Sequence, residues 1–202
     1  MYDLKGKVIL ITGAGKGAGR LLAETLAEQG ALIAANDISP INVEEVAAGI
    51  NARGGQARVY VEDIAKKVGV QALVKAVEDE FGGIDILVNH AAVKPHASLL
   101  NMDEWDWHRT LDVNLTGAFL MIQSVGRLMR ANGKGEILNL VTGAGKGLDA
   151  AREAVAYLSS KAGLVELSHQ ADMELSQYGI RVHAIASSEN VVQEVLSALE
   201  VK

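Results

Sequence analysis

Short apolar runs alternate with longer segments of helical period along most of the chain. The runs are KVILIT (Lys7–Thr12), ALIAAND (Ala31–Asp37), ARVYVED (Ala57–Asp63), IDILVNH (Ile84–His90), GEILNLVT (Gly135–Thr142) and IRVHAIA (Ile180–Ala186). KVILIT is unbroken by polar alternation, which predicts a strand buried on both faces. Helices are predicted over Gly17–Glu28, with Leu21, Leu22, Thr25 and Leu26 on one side, and over Ile41–Arg53, stopped by Gly54 and Gly55. Others are predicted over Lys66–Phe81, within Asp103–Ala131 with a break near its start, and over Arg152–Tyr178 ahead of Gly179. Strands alternating with helices make βαβ units. Right-handed crossovers then build a doubly wound α/β parallel sheet of about six strands, with helices on both faces.

Nothing divides this pattern, so 1–202 is read as one domain, long enough to bury a substantial core. The net charge of −6 carries no run of like sign, which argues against a nucleic-acid or membrane surface. There is no cysteine, so disulfides, thiolate catalysis and zinc–cysteine sites are excluded. The apolar run near the N-terminus is too short for a signal peptide or a membrane span, and a cytoplasmic location is expected.

TGAGKGAG (Thr12–Gly19) follows the first strand and opens the first helix. In that context Gly13, Gly17 and Gly19 allow the close backbone approach a pyrophosphate needs, and the helix N-terminus faces the phosphates. It reads as the phosphate loop of a Rossmann-type sheet, the alternative being a glycine turn with no ligand. Asp37, at the end of the second strand, can accept hydrogen bonds from both ribose hydroxyls and would repel a 2′-phosphate. It favours NAD over NADP, unless it is simply a turn aspartate. Lys16, inside the loop, pulls toward NADP.

Tyr157 and Lys161 in YLSSK stand one helical turn apart. A free tyrosine, with a pKa near ~10, is a poor base at neutral pH, and an adjacent ammonium stabilises its phenolate. With this pair added, the sequence from about Leu4 to Ile185 closely resembles the short-chain dehydrogenase/reductase family. TGAGKGAG, Asp63, NHAA (Asn89–Ala92), VNLTG with Asn114, the hydroxyl of Thr142, YLSSK and YGIRVHAI carry the likeness. The look is nearest to the branch of 3-oxoacyl-carrier-protein reductases and alcohol and sugar dehydrogenases. The resemblance implies a hydride transfer between NAD(H) and a secondary alcohol or ketone. Tyr157 would exchange the proton, Lys161 would hold the nicotinamide ribose, Asn114 would anchor a water and Thr142 would orient the substrate oxygen. It implies cofactor contacts at Gly13, Gly15, Lys16, Gly17, Ala18, Gly19, Asp37, Asp63, Ile64, Asn89, Ala91, Tyr157 and Lys161, no metal, and a homodimer or homotetramer. Structural readings stand beside these. Asn114 could be a helix-break residue bonding a backbone carbonyl, and Asp63 a helix N-cap.

Several positions depart from the family pattern. Thr142 replaces the usual serine, and its β-branch stiffens χ1. His90 and Ala92 are changes beside the cofactor, and His90 reads as a strand-end histidine satisfied by backbone. His96, His108, His169 and His183 show no metal-ligand spacing. In WDWH (Trp105–His108) one Trp is expected in the core and the other toward the substrate or an interface. TGAGKG recurs at Thr142–Gly147, read as shared strand-to-loop chemistry. After the sixth strand the expectation is a missing lid and a missing seventh strand. A terminal helix would follow, with Ser188 as N-cap and Val191, Val192, Val195, Leu196 and Leu199 as its apolar stripe. A protein of this fold with weak or no catalysis, acting as a sensor or assembly partner, is the alternative.

Overall fold

A computed structural model describes residues 3–141, 153–186 and 190–200. Thr142, the second TGAGKG and Ser188 lie outside the described residues. Six parallel strands form one sheet in the order β3-β2-β1-β4-β5-β6. They are β1 (Val8–Thr12), β2 (Leu32–Asp37), β3 (Gln56–Val61), β4 (Ile86–Asn89), β5 (Gly135–Leu140) and β6 (Ile180–Ile185). The doubly wound sheet expected from the sequence is therefore observed.

The helices are α1 (Gly17–Glu28), α2 (Pro40–Ala52), α3 (Lys67–Phe81), α4 (Glu104–Leu111), α5 (Ala118–Asn132), α6 (Val155–Leu175) and α7 (Val191–Glu200). One core joins α1, α2 and α7 to the sheet through Leu22, Leu26, Val43, Val46, Ile50, Val195 and Leu199. The other joins α3 and α5 through Val70, Leu73, Val77, Met121, Val125 and Met129, with α6 adding Leu167 and Leu175 at its margin. Every β1 residue is buried, because helices cover both faces of this central strand.

Two local expectations are corrected. In α1 the inward face is Gly19, Leu22, Ala23, Leu26 and Ala27, while Leu21 is half exposed. The 3.6-residue period turns position 21 outward once positions 19, 22 and 26 face the sheet. Neither tryptophan of α4 is a core residue. Trp105, in the first turn, is exposed and Trp107 is only partly buried. The terminal stripe is as expected, with Val195 and Leu199 fully buried and Val191, Val192 and Leu196 packed beside them.

The expected break in the long helical segment is a wide π turn over Asp112–Gly117, with helix continuing on both sides. Such turns place one extra residue in the helix and recur at functional sites.

Candidate active site

The strand order reverses between β1 and β4, because β1 leads outward to β2 and β3 on one side while β4 begins the other half. The loops leaving these two strands part there and leave a crevice at the carboxyl end of the sheet. A cleft of about 340 Å³ occupies this position. Its wall includes Gly13, Lys16, Asp37, Asp63, Ile64, His90, Ala91 and Arg109.

Thr12 sets the two loops against each other. It is fully buried, and its Oγ1 accepts from His90 N at 3.1 Å and Ala91 N at 3.2 Å. Sequence reasoning passed over Thr12 as the last strand residue; its place directly before the glycine loop was the available signal. Gly13, at φ +68°, lies so close to this junction that a Cβ would stand 2.7 Å from Ala91 Cα. At Gly19 a Cβ would stand 2.2 Å from Gly13 O. The loop is thus closed on itself by glycines. Helix α1 starts beyond it with no side-chain cap and no acidic residue in its first turn. Its leading N–H groups form an anion-binding end.

Asp37 closes the far side of the loop. Its Oδ2 accepts from Gly15 N and its Oδ1 from Ser39 N, both at 2.9 Å. Lys16 is exposed in the same cleft. Asp63 sits at the end of β3. Its Oδ1 accepts from Ala65 N at 3.0 Å, and Lys66 and Arg109 approach its other oxygen at 3.8 and 3.7 Å. It forms a turn ahead of α3 and does not cap it, since α3 begins at Lys67 with Lys66 in the cap position. Asn89 is turned into the sheet, where its Nδ2 donates to Asn139 Oδ1 at 2.8 Å. Asn139 donates in turn to Ser168 Oγ at 2.9 Å, and Ser168 to Leu164 O at 2.6 Å. This buried chain ties β4 through β5 to α6, while the residues that follow Asn89, His90 to Val93, line the cleft. His90 Nδ1 lies 3.1 Å from Gly13 O, and burial holds its pKa below the usual histidine range. The backbone-satisfied histidine expected from the sequence matches this geometry.

Helix α6 carries Tyr157 and Lys161. Lys161 is 3% exposed, and its ammonium donates to Leu140 O at 2.8 Å and lies 5.7 Å from the Tyr157 ring centre. Burial lowers its pKa to about 8 and raises that of Tyr157 above the ordinary phenol value. The sequence argument named the cation that lowers the phenol and omitted the burial that opposes it.

The Lys161 shift has a consequence for stability. Its folded pKa lies below the unfolded value near 10.5, so the unfolded chain binds the extra proton. The penalty is fully present below pH 8 and disappears as pH rises toward 10.5. A lowering of this size amounts to roughly 3 kcal/mol at neutral pH. Lys161→Met is therefore expected to unfold at higher denaturant concentration than the wild type at pH 7. The gap should narrow between pH 8 and 10, which denaturant titrations at several pH values would measure.

Asn114 lies in the π turn and is 1% exposed. Its Oδ1 accepts from Val93 N at 2.8 Å, and its Nδ2 donates to Val93 O and Ser160 Oγ, each at 3.0 Å. It does bond a backbone carbonyl, but one on the distant β4 loop. Ser160 Oγ donates to Tyr157 O at 2.7 Å, so Asn114 links that loop to the tyrosine helix. Among the described residues no group of three or more His, Cys, Asp or Glu could hold a metal ion, and no helix is long and apolar enough to cross a membrane.

Residues 7–191 match the family model described as short chain dehydrogenase. The D-threitol dehydrogenase of Mycolicibacterium smegmatis is 41% identical over 92% of this chain and 70% of its own length. A xylitol dehydrogenase solved with NAD+ bound superposes with a TM-score of 0.86 at 35% identity, covering 91% of this chain and 70% of its own. A metagenomic short-chain oxidoreductase in complex with NADP gives 0.91 at 28% identity, covering 98% and 93%. The chain belongs to the short-chain dehydrogenase/reductase family of oxidoreductases.

Proposed function

We propose that this chain transfers a hydride between NAD(H) and a secondary alcohol or ketone of a small polyol, with Tyr157 exchanging the proton. The observation that carries the reading is the buried Lys161 ammonium beside Tyr157. An ammonium held in the interior at a cost to stability is a mark of a working site. His90 lines the nucleotide cleft, and the Lys161 charge adds to the burial that lowers its pKa.

The cleft fits a dinucleotide. Glycines leave room for the pyrophosphate, and the uncapped end of α1 offers N–H donors to it. Asp37 is set to accept from the adenosine ribose, and Ile64 and Val113 supply apolar surface near Asp63. The nicotinamide, when bound, accepts or donates the hydride. Lys161 would hold the adjoining ribose and favour the Tyr157 phenolate, which takes the proton of the alcohol during oxidation and returns it during reduction. Asn114 would fix the loop and tyrosine helix relative to one another, and its Oδ1, which has a second lone pair, could still anchor a water. Thr142 is proposed to orient the substrate oxygen. The polyol class is supported by the D-threitol and xylitol dehydrogenases among the similar proteins.

Asp37 supports NAD, since a 2′-phosphate there would meet a carboxylate. Calorimetry with NADH and NADPH tests this, followed by turnover on C4 and C5 polyols. NADH is expected to bind more than tenfold tighter than NADPH, and Asp37→Ser to narrow that ratio at least tenfold. Equal binding of both by the wild type would remove the Asp37 argument, and binding of neither would remove the proposal. A homodimer or homotetramer belongs to the same reading. The groove between α5 and α6, lined by Phe119, Ile122, Leu167, Ala171 and Leu175, offers apolar surface for such a contact.

A further inference from the structure

The loop after β4 is fixed at two points. Asn114 holds both the N–H and the carbonyl of Val93, and Ala97 N donates to Glu153 O at 3.1 Å, at the foot of α6. Lys94 lies between these anchors, next to the clamped residue. Its ammonium stands 5.2 Å from the centre of the Tyr157 ring, against 5.7 Å for Lys161. The two cations come from different elements and differ in environment, Lys94 being exposed and Lys161 buried.

We propose that Lys94 is a second positioning cation for the Tyr157 proton, favouring the phenolate from the solvent side as Lys161 does from the interior. The assignment rests on the reading of Tyr157 as the acid/base. A cation within about 6 Å of an aromatic face is attracted to it, and it stabilises the anionic form of a phenol more than the neutral form. The loop contributes Lys94 and the exposed His96; α6 contributes Lys161, with Glu153 just before it. The end of β4 contributes His90 behind Lys161, and the π turn the neutral Asn114. Burial brings Lys161 to about 8, so its charge fades through the alkaline range in which alcohols are oxidised most readily.

The test is a direct titration of the phenol in the full chain, by NMR of ¹³Cζ-labelled tyrosine with NAD+ present. The chain has 4 tyrosines, and Tyr157→Phe identifies the resonance. Lys94→Gln is expected to raise the Tyr157 midpoint by about half to one pH unit, the size of a screened interaction at this distance. Lys94→Arg is expected to leave it at or below the wild-type value. The rising limb of kcat/KM against pH for alcohol oxidation, which reports deprotonation of the base, should move in the same direction. An unchanged midpoint in Lys94→Gln overturns the assignment, as does an equal rise in Lys94→Arg. If Tyr157→Phe keeps wild-type turnover, the proposed function fails, while the titration still decides whether Lys94 acts on the phenol.

Discussion

Tyr157→Phe is expected to lower kcat by about three orders of magnitude, the range general acid–base groups contribute, while leaving NADH affinity within a few fold. The substitution removes one oxygen and keeps the ring. The half-buried packing of Tyr157 between Lys94 and Lys161 should survive, and the hydrogen bond from Ser160 to its carbonyl is untouched. Steady-state kinetics on the best polyol, with calorimetry on the same preparation, separates chemistry from binding. A variant with full turnover would show that the proton leaves by another route. Lys161→Met should also lose activity while gaining stability at neutral pH. That opposite movement of two properties is a stronger sign of a working site than the loss of either alone.

Gly19→Ala is expected to abolish measurable NADH binding, with an affinity loss of at least a hundredfold, and to cost the fold about 2 kcal/mol or more. The new methyl would enter the space of Gly13 O at 2.2 Å and of His90 Nδ1 at 2.6 Å. Neither neighbour is the loose end of a flexible side chain. One is loop backbone, and the other is a partly buried ring that itself contacts that backbone. Relief requires the loop to leave the first turn of α1, which withdraws the N–H groups offered to a pyrophosphate. Gly17→Ala is the useful comparison. Its φ of +54° strains the backbone, but no atom lies within 4 Å of the added methyl. Denaturant unfolding and calorimetry on both variants would distinguish crowding from strain. Equal effects would mean that the close approach at Gly19 is not what shapes the loop.

The sheet was legible because each strand is an apolar run and each helix has its own period. Gly82, in the left-handed conformation, ends α3 where the sequence places the stop. Errors fell where tertiary packing chooses between nearby options. Leu21 looks like a core residue until Gly19, forced inward by the loop, fixes the rotation of α1. One tryptophan of α4 is expected in the core, yet the helix buries Thr110 and leaves Trp105 outside. At the site, the local pattern offered Asp37, Tyr157 and Lys161 as candidates. It could not identify Thr12 or the Asn89–Asn139–Ser168 chain, because these bonds join residues 29 to 79 positions apart. Nor could a one-dimensional pattern measure the burial that moves Lys161 and Tyr157 in opposite directions.

The π turn over Asp112–Gly117 makes this stretch of helix sensitive to length as well as to composition. Each residue of a helix advances the chain by 100° and 1.5 Å. Deleting a single residue from the turn would restore ordinary winding and leave the flanking helices near their present phase, re-aiming only the residues of the turn itself. Asn114 would swing away from Val93, while Arg109 would stay near Asp63. A library of point substitutions would not reveal this dependence. A scan of one-residue deletions from Leu111 to Ala118 would, with the tolerated lengths marking where the helix must stay overfull by one.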